Sequence, residues 1–205
     1  MEESGRSSER MALRSGERGR CYLAHVSTQI IVLNGVSSSG KTTLARSLQA
    51  MLTEPWLLLG IDDLIRAMPN EGLEEGSLLH IGETGQVHVG PGWQDLEASW
   101  YGGVASIVAN GTGVIVDEVF LGGGQRQERL RAAFNGLTVL WVGVYCDRDV
   151  ARAREYVRPD RVSGMAEFQA AIVHEGVAYD MTVDTSSTSP ESCATEILTR
   201  MSTRD

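Results

Sequence analysis

The sequence predicts an α/β fold in which five parallel strands form one sheet with helices on both faces. Short apolar runs alternate along the chain with segments of helical periodicity, which is the pattern of a parallel sheet. The first apolar run leads directly into a glycine-rich loop and a helix, and acidic residues follow the next two runs. The length of 205 residues suits one domain with a full hydrophobic core. We expect that domain to cover residues 29–205.

The predicted elements follow one another in a regular order. Ile30–Leu33 is a β-branched run typical of a buried strand. The other predicted strands are Trp56–Leu59, which Gly60 closes, Val114–Val116, Leu137–Tyr145 and Met181–Val183. The predicted helices are Lys41–Met51, with Leu44 and Leu48 one turn apart, Gly92–Ala109, with apolar residues at helical spacing, Gln125–Phe134, Asp149–Tyr156, Met165–Val173 and Glu191–Met201. Ligands of such sheets bind at the carboxyl ends of the strands, so residues that directly follow a strand are the first candidates for a site.

One segment interrupts this alternation. Leu78–Ile81 and Gln86–Val89 flank the sequence Gly-Glu-Thr-Gly, which predicts a small β-hairpin with a short loop. We interpret Leu64–Tyr101 as an insertion. It either covers a pocket or decorates the surface, and the sequence favours neither.

Composition limits the partners and the compartment. The formal net charge of -9 argues against nucleic acid or an anionic membrane as partner. Residues 1–28 are rich in Ser, Gly, Arg and Glu, which predicts a disordered extension, and they lack the apolar run of a secretory signal. The three cysteines are far apart, without metal-ligand spacing. We expect a cytoplasmic protein.

A glycine-rich motif carries the strongest functional signal. Residues 35–42 match G-x-x-x-x-G-K-[ST] between a predicted strand and a predicted helix, as the phosphate-binding P-loop requires. The predicted nucleotide-binding residues are Gly35, Val36, Ser37, Ser38, Ser39, Gly40, Lys41, Thr42 and Thr43. Of the 18 basic residues, Lys41 is the one lysine, at the position that reaches the β- and γ-phosphates. The motif predicts binding of ATP with Mg²⁺, and the Thr42 hydroxyl is a candidate ligand of the metal ion.

Acidic residues follow the third predicted strand. Asp117 and Glu118 come directly after Val114–Val116, where an acid can hold Mg²⁺ or its water shell. Adjacent residues point to opposite sides of a strand, and the position of Asp117 is the better one for a metal ligand. The alternative is an acid in a turn at the strand end.

A second pair of acids follows the second predicted strand. Asp62 is placed to orient an acceptor hydroxyl and take its proton. Alternatively, Asp62 or Asp63 only caps a short helix, Leu64–Met68. The pattern alone does not separate these interpretations.

Arginines crowd into the segment after the fourth predicted strand. They are Arg148, Arg152, Arg154, Arg158 and Arg161. Guanidinium groups stabilise the charge of a transferring phosphoryl group, whereas a solvated helix face is the alternative and the preferred one for Arg148 and Arg152. Pro159 interrupts the helix, so a segment bearing Arg158 and Arg161 could close over ATP as a lid.

These stretches together resemble the chloramphenicol phosphotransferase family of small ATP-dependent kinases. The matching segments are Ile31–Lys41, Gly60–Pro69, Val116–Gly123, Leu140–Asp147, Asp160–Ala166 and Val173–Asp184. The resemblance implies a nucleotide-kinase-like fold and transfer of the γ-phosphoryl group of ATP to a primary hydroxyl of chloramphenicol. It also implies Asp62 as the base, with Asp63 as its neighbour, and Arg154, Arg158 and Arg161 as lid arginines. The chain departs from the family in the N-terminal extension and in the insertion, over Glu71–Gln94.

The resemblance leaves the acceptor open. Trp93, Leu96 and Trp100 could contact an aromatic substrate, although such side chains more often belong to the core. A kinase of an ordinary metabolite would share the same motifs. A nucleotide-binding regulator without transfer activity is a third interpretation, and slow hydrolysis without an acceptor-dependent product would distinguish it.

Overall fold

A computed structural model describes residues 28–73, 78–82, 86–157 and 165–203 of the chain. Its strands are β1 (Ile30–Asn34), β2 (Leu57–Gly60), β3 (Leu79–Ile81), β4 (Val87–Val89), β5 (Val114–Glu118), β6 (Val139–Tyr145) and β7 (Met181–Asp184). Five of them form a parallel sheet in the order β2-β5-β1-β6-β7, while β3 and β4 pair antiparallel. The predicted parallel sheet and the predicted hairpin are both confirmed.

Helices cover the two faces of the sheet. They are α1 (Lys41–Met51), α2 (Ile61–Ala67), α3 (Trp93–Ala109), α4 (Gly123–Ala133), α5 (Arg148–Tyr156), α6 (Met165–Ala170) and α7 (Pro190–Ser202), with one 3₁₀ turn at Asn70–Leu73. On one face, α3 and α4 pack over a cluster that includes Val32, Tyr101 and Phe134. On the other face, α1 and α7 pack over Leu33 and its neighbours. The central strand β1 is buried on both sides, which explains its continuous apolar sequence.

Two helix boundaries differ from the predicted ones by three residues, and the others by at most two. Helix α6 ends at Ala170 instead of continuing to Val173. Beyond this point, carbonyl groups accept hydrogen bonds from distant parts of the chain. Val173 O accepts from Asn34 Nδ2 at 2.8 Å, and Glu175 O accepts from Gly124 N at 2.8 Å. Helix α2 begins at Ile61, three residues before the predicted start at Leu64. Its first turn therefore contains Asp62 and Asp63.

Within the described residues, no helix is long and apolar enough to cross a membrane. The predicted extension lies outside the described part of the chain except for Thr28, which is buried.

Candidate active site

The loop between β1 and α1 has the backbone of a phosphate-binding turn. Ser38 adopts a φ of 59° and Gly40 a φ of 88°, so the chain turns sharply just before α1. A Cβ atom on Gly35 would lie 2.3 Å from Val144 O, so only glycine fits where the loop leaves the sheet. Helix α1 begins directly after the loop, and its N-terminus adds a positive field.

Buried polar groups in this loop fit a phosphate ligand. The hydroxyl oxygens of Ser37, Ser38 and Ser39 are buried, and among the described residues none of them has a hydrogen-bond partner. Leaving a buried hydroxyl without a partner costs about 1–3 kcal/mol. Such a cluster of unsatisfied hydroxyls is the state expected of a loop whose partner is a polar ligand.

The side chain of Lys41 contacts the same loop. Its Nζ donates to Gly35 O at 3.0 Å and to Val36 O at 2.9 Å, and it lies 3.9 Å from Asp117 Oδ1. The side chain is 6% exposed, so this ammonium group is held in place rather than solvated. Its charge therefore acts at the phosphate-binding loop.

Two oxygen ligands of the kind that Mg²⁺ prefers meet beside the loop. Thr42 Oγ1 donates to Asp117 Oδ2 at 2.6 Å, across the gap between α1 and the end of β5. The described residues contain no group of three or more His, Cys, Asp and Glu side chains that could hold a metal ion. An ion here would take its remaining ligands from substrate phosphates and water, which is usual for Mg²⁺. Glu118 points away from this position and is fully buried.

The two acids of α2 have different surroundings. Asp63 Oδ2 accepts from Gly60 N–H at 2.8 Å, and its Oδ1 accepts from Arg66 at 2.5 Å, so Asp63 caps the helix. Asp62 lines the same cavity as Lys41 and Asp117. A Cβ on Gly60 would lie 2.3 Å from Asp117 O, so the start of α2 lies directly against the end of β5.

The predicted lid arginines are only partly within the described chain. Arg154 donates to Thr185 O at 2.8 Å, and its NH1 lies 3.6 Å from the position of a Cβ on Gly40, beside the phosphate-binding loop. Arg148 and Arg152 are exposed on α5, as expected of a solvated face. Arg158 and Arg161 lie outside the described residues.

A cavity of about 550 Å³ joins these groups. Its walls include Lys41, Thr42, Thr43, Asp62, Asp63, Asp117, Gln169 and the apolar side chains of the hairpin. The hairpin turns Leu79, Ile81, Val87 and Val89 into the cavity, and two of them remain open to solvent, Ile81 with 38% and Val89 with 55% of its surface exposed. The insertion therefore covers a pocket. Trp93 lines the cavity and also packs in a small core cluster, against which Leu96 and Trp100 pack.

Comparison with known proteins identifies the family. Residues 28–202 match the family model described as chloramphenicol phosphotransferase-like protein. The chain belongs to this family. It is 32% identical over 181 residues to proteins of two Mycobacterium tuberculosis strains that carry the provisional name O-phosphotransferase, and the match covers 82% of this chain and 80% of theirs.

Solved structures of kinases share the fold of this family member. A sugar kinase from a Janibacter species superposes with a TM-score of 0.62 at 19% identity, over 85% of this chain and 94% of that kinase. The APS kinase of Mycobacterium tuberculosis superposes with a TM-score of 0.56 at 13% identity, over 85% of this chain and 98% of that kinase. The protein is thus a phosphotransferase of the P-loop type, a class that takes its phosphoryl group from a nucleotide.

Charged residues that the sequence analysis missed form part of the cavity wall in this chloramphenicol phosphotransferase-like protein. Glu97 on α3 forms a buried ion pair with Arg126 NH1, and its Oε2 lies 3.5 Å from Arg129 Nε. Glu97 Oε1 also accepts from Trp93 Nε1 at 3.0 Å. The sequence could have indicated Glu97 by its position. It comes four residues after Trp93 and four before Tyr101, on an otherwise apolar stripe of α3.

Behind this wall lies a second buried pair. Glu118 accepts from the Tyr101 hydroxyl and lies 3.5 Å from Arg126 NH2. Burial raises the pKa of Glu118 to about 8, and burial together with the nearby charge of Arg129 lowers the pKa of Arg126 to about 9. At neutral pH the Arg126 guanidinium is thus charged and pairs with Glu97, whereas Glu118 is mainly protonated.

Replacing Glu118 by Gln is expected to flatten the pH dependence of stability. The folded protein holds a proton on Glu118 that the unfolded chain loses above its ordinary pKa of 4.5, so stability falls as the pH rises from there to about 8. The slope is at most about 1.4 kcal/mol per pH unit, and it vanishes above the folded pKa. The amide mimics the neutral carboxyl group, so the variant should be about as stable as the wild type at low pH and relatively more stable at high pH.

Urea denaturation at about pH 5 and about pH 8 measures this slope. Glu128→Gln on the exposed side of α4 is the matched control, because its side chain is 75% exposed and should leave the slope unchanged. A Glu118→Gln variant that loses as much stability as the wild type between the two pH values would show that Glu118 is ionised in the folded protein.

Proposed function

We propose that this protein transfers the γ-phosphoryl group of ATP to a hydroxyl group of chloramphenicol or a similar small molecule. One observation carries the proposal: a single cavity contains a phosphate-binding loop with unsatisfied hydroxyls, a carboxylate at Asp62 and an apolar wall from the hairpin. Donor, base and acceptor surface thus line one cavity, as phosphoryl transfer requires.

The donor side binds the nucleotide. Residues 35–43 would hold the phosphates through their hydroxyls and through N–H groups other than that of Ser37, which donates to Gln169 Oε1. Lys41 would neutralise charge on the β- and γ-phosphates. Thr42 and Asp117 would hold Mg²⁺, since their oxygens already lie 2.6 Å apart. When bound, Mg²⁺ supplies charge neutralisation on the phosphate oxygens.

On the acceptor side, Asp62 acts as the base. It orients the acceptor hydroxyl and takes its proton as the acceptor oxygen bonds to the γ-phosphorus. The bond from phosphorus to the bridging oxygen breaks, and ADP leaves with that oxygen. Asp63 caps α2 and pairs with Arg66, and the family resemblance supports Asp62 as the base.

Arginines stabilise the charge of the moving phosphoryl group. Arg154 is close to Gly40 of the phosphate-binding loop, which supports this role. Arg158 and Arg161 are proposed to act with it, on the strength of the resemblance described above.

The surface beyond Asp62 supports a small acceptor with an apolar part. Four aliphatic side chains of the hairpin and Trp93 offer such a molecule a surface of low polarity. Phosphorylation of a hydroxyl of chloramphenicol would inactivate the drug, and antibiotic resistance would follow. The charged side chains of Glu97 and Arg129 in the cavity wall favour a second candidate, the kinase of a more polar metabolite.

The decisive experiment is mass spectrometry of the small molecules after incubation of the protein with ATP, Mg²⁺ and chloramphenicol. We expect a drug that is heavier by one phosphoryl group, formed by the wild type and not by Lys41→Ala. Unmodified chloramphenicol in a sample that consumes ATP with another alcohol would reject the drug and retain the phosphotransferase. Absence of any acceptor-dependent product, with ATP bound, would favour a regulator.

A further inference from the structure

A buried glutamine approaches the phosphate-binding loop from α6. Gln169 is 2% exposed, yet its side chain lines the cavity. Its Oε1 accepts a hydrogen bond from Ser37 N–H at 2.6 Å. Ser37 lies inside the phosphate-binding motif, so Gln169 contacts the loop where it faces the cavity.

This contact fixes the orientation of the side-chain amide. The backbone nitrogen of Ser37 can only donate, so the atom that it meets must be the oxygen of Gln169. The amide nitrogen Nε2 is therefore the other terminal atom, and among the described residues it has no hydrogen-bond partner. A donor in a buried side chain that lines a cavity, without a partner in the described chain, points to a ligand with acceptor oxygens.

The backbone around Gln169 is anchored on both sides. Ala166 N–H donates to Glu155 Oε1 at 3.0 Å, which joins α6 to α5. Val173 O accepts from Asn34 Nδ2 at 2.8 Å, and Asn34 is the residue directly before the phosphate-binding loop. These ties hold α6 against the loop, so the Gln169 side chain needs no large rearrangement to act there.

We propose that Gln169 is a further catalytic residue, whose Nε2 amide donates a hydrogen bond to an oxygen of the γ-phosphoryl group during transfer. The inference rests on the proposed function, because it requires a phosphoryl group in the cavity. The bond to Ser37 aims the donor before the reaction, and such preorganised donors stabilise charge that spreads onto the transferring group. Gln169 takes no proton and forms no covalent bond.

The variant Gln169→Glu isolates the donor. It keeps the length of the side chain and an oxygen that accepts from Ser37 N–H, but it replaces the donor by a carboxylate that repels phosphoryl oxygens. We expect a kcat lower by about 10²-fold to 10³-fold, the usual effect of removing one such donor. Gln169→Asn is the second variant. It keeps an uncharged amide, but it is one methylene shorter and cannot reach both partners.

The test compares two ligands that differ only at the position of the γ-phosphoryl group. Affinities are measured for ADP with Mg²⁺ and for ADP with Mg²⁺ and fluoroaluminate, which imitates the planar transferring phosphoryl group and needs no known acceptor. We expect Gln169→Glu and Gln169→Asn to bind ADP within about 3-fold of the wild type and to lose about 100-fold in affinity for the fluoroaluminate complex. Thermal melting shows whether each variant is folded.

Gln94→Glu is the matched control, because it adds the same charge to the wall of the same cavity from α3. It should keep most of the gain in affinity that fluoroaluminate gives. The inference is overturned if Gln169→Glu keeps the full gain, or if it loses ADP and the fluoroaluminate complex equally, since the glutamine would then only shape the loop. A wild-type protein that gains nothing from fluoroaluminate would count against phosphoryl transfer, and thereby against the proposed function itself.

Discussion

Replacing Asp62 by Asn is expected to lower the kcat of acceptor phosphorylation by about 10³-fold, within the range of general-base catalysis. The amide can still accept a hydrogen bond from the acceptor hydroxyl, but it cannot take the proton. The affinity for ATP should change little, because the phosphate-binding residues belong to the loop and α1. Steady-state kinetics with saturating ATP, together with a direct measurement of ATP binding, separates the two effects.

Asp63→Asn is the control for this experiment. The two acids are neighbours in the first turn of α2, but Asp63 accepts from Gly60 N–H and pairs with Arg66. Its replacement should cost about 1 kcal/mol of stability through the weakened cap and leave most of the activity. An Asp62→Asn enzyme with undiminished kcat would remove Asp62 from the mechanism, whereas a large loss only in Asp63→Asn would exchange the roles of the two acids.

The fold was predictable because its main features are local in the sequence. Ile30–Leu33 is apolar throughout since both faces of β1 are covered, and the glycine-rich motif marks the turn from strand to helix. The end of α6 was not predictable. The apolar residues Ile172 and Val173 continue a helical pattern, but in the structure the chain forms turns there, and Val173 O accepts a hydrogen bond from Asn34, 139 residues away in the chain.

The site was predictable where a residue directly follows a strand. Asp117 lies beside Thr42 because parallel strands end at one edge of the sheet, and this neighbourhood follows from strand order. The sequence could not show which acid caps α2, since the cap depends on a hydrogen bond from Gly60 N–H to Asp63. It also could not indicate Gln169, because an isolated glutamine in a short helix has no pattern and its role depends on contact with a distant loop.

Replacing Lys41 should lower kcat as much as replacing Asp62 does. The variant Lys41→Arg should be no more active than Lys41→Ala. We expect both variants to lower the kcat of phosphoryl transfer by about 10³-fold, the upper end of the loss for one electrostatic group, and to weaken ATP binding. Lys41→Ala removes the charge at the phosphates. Lys41→Arg keeps the charge, but a planar fork must occupy the space of a compact ammonium group on a thin stem.

The geometry around Lys41 explains why the shape of the cation matters. Nζ reaches two carbonyl oxygens of its own loop, at 3.0 and 2.9 Å, and remains 3.9 Å from Asp117 while the side chain is almost fully buried. A guanidinium group would push against a loop that is already held by the close approach of Gly35 to β6. The reverse exchange on α7, Arg200→Lys, is the control, since Arg200 is exposed and is not among the described residues that line the cavity. Near-normal kcat in Lys41→Arg would mean that charge alone suffices, and the choice of lysine at this one position in a chain with 17 arginines would need another cause.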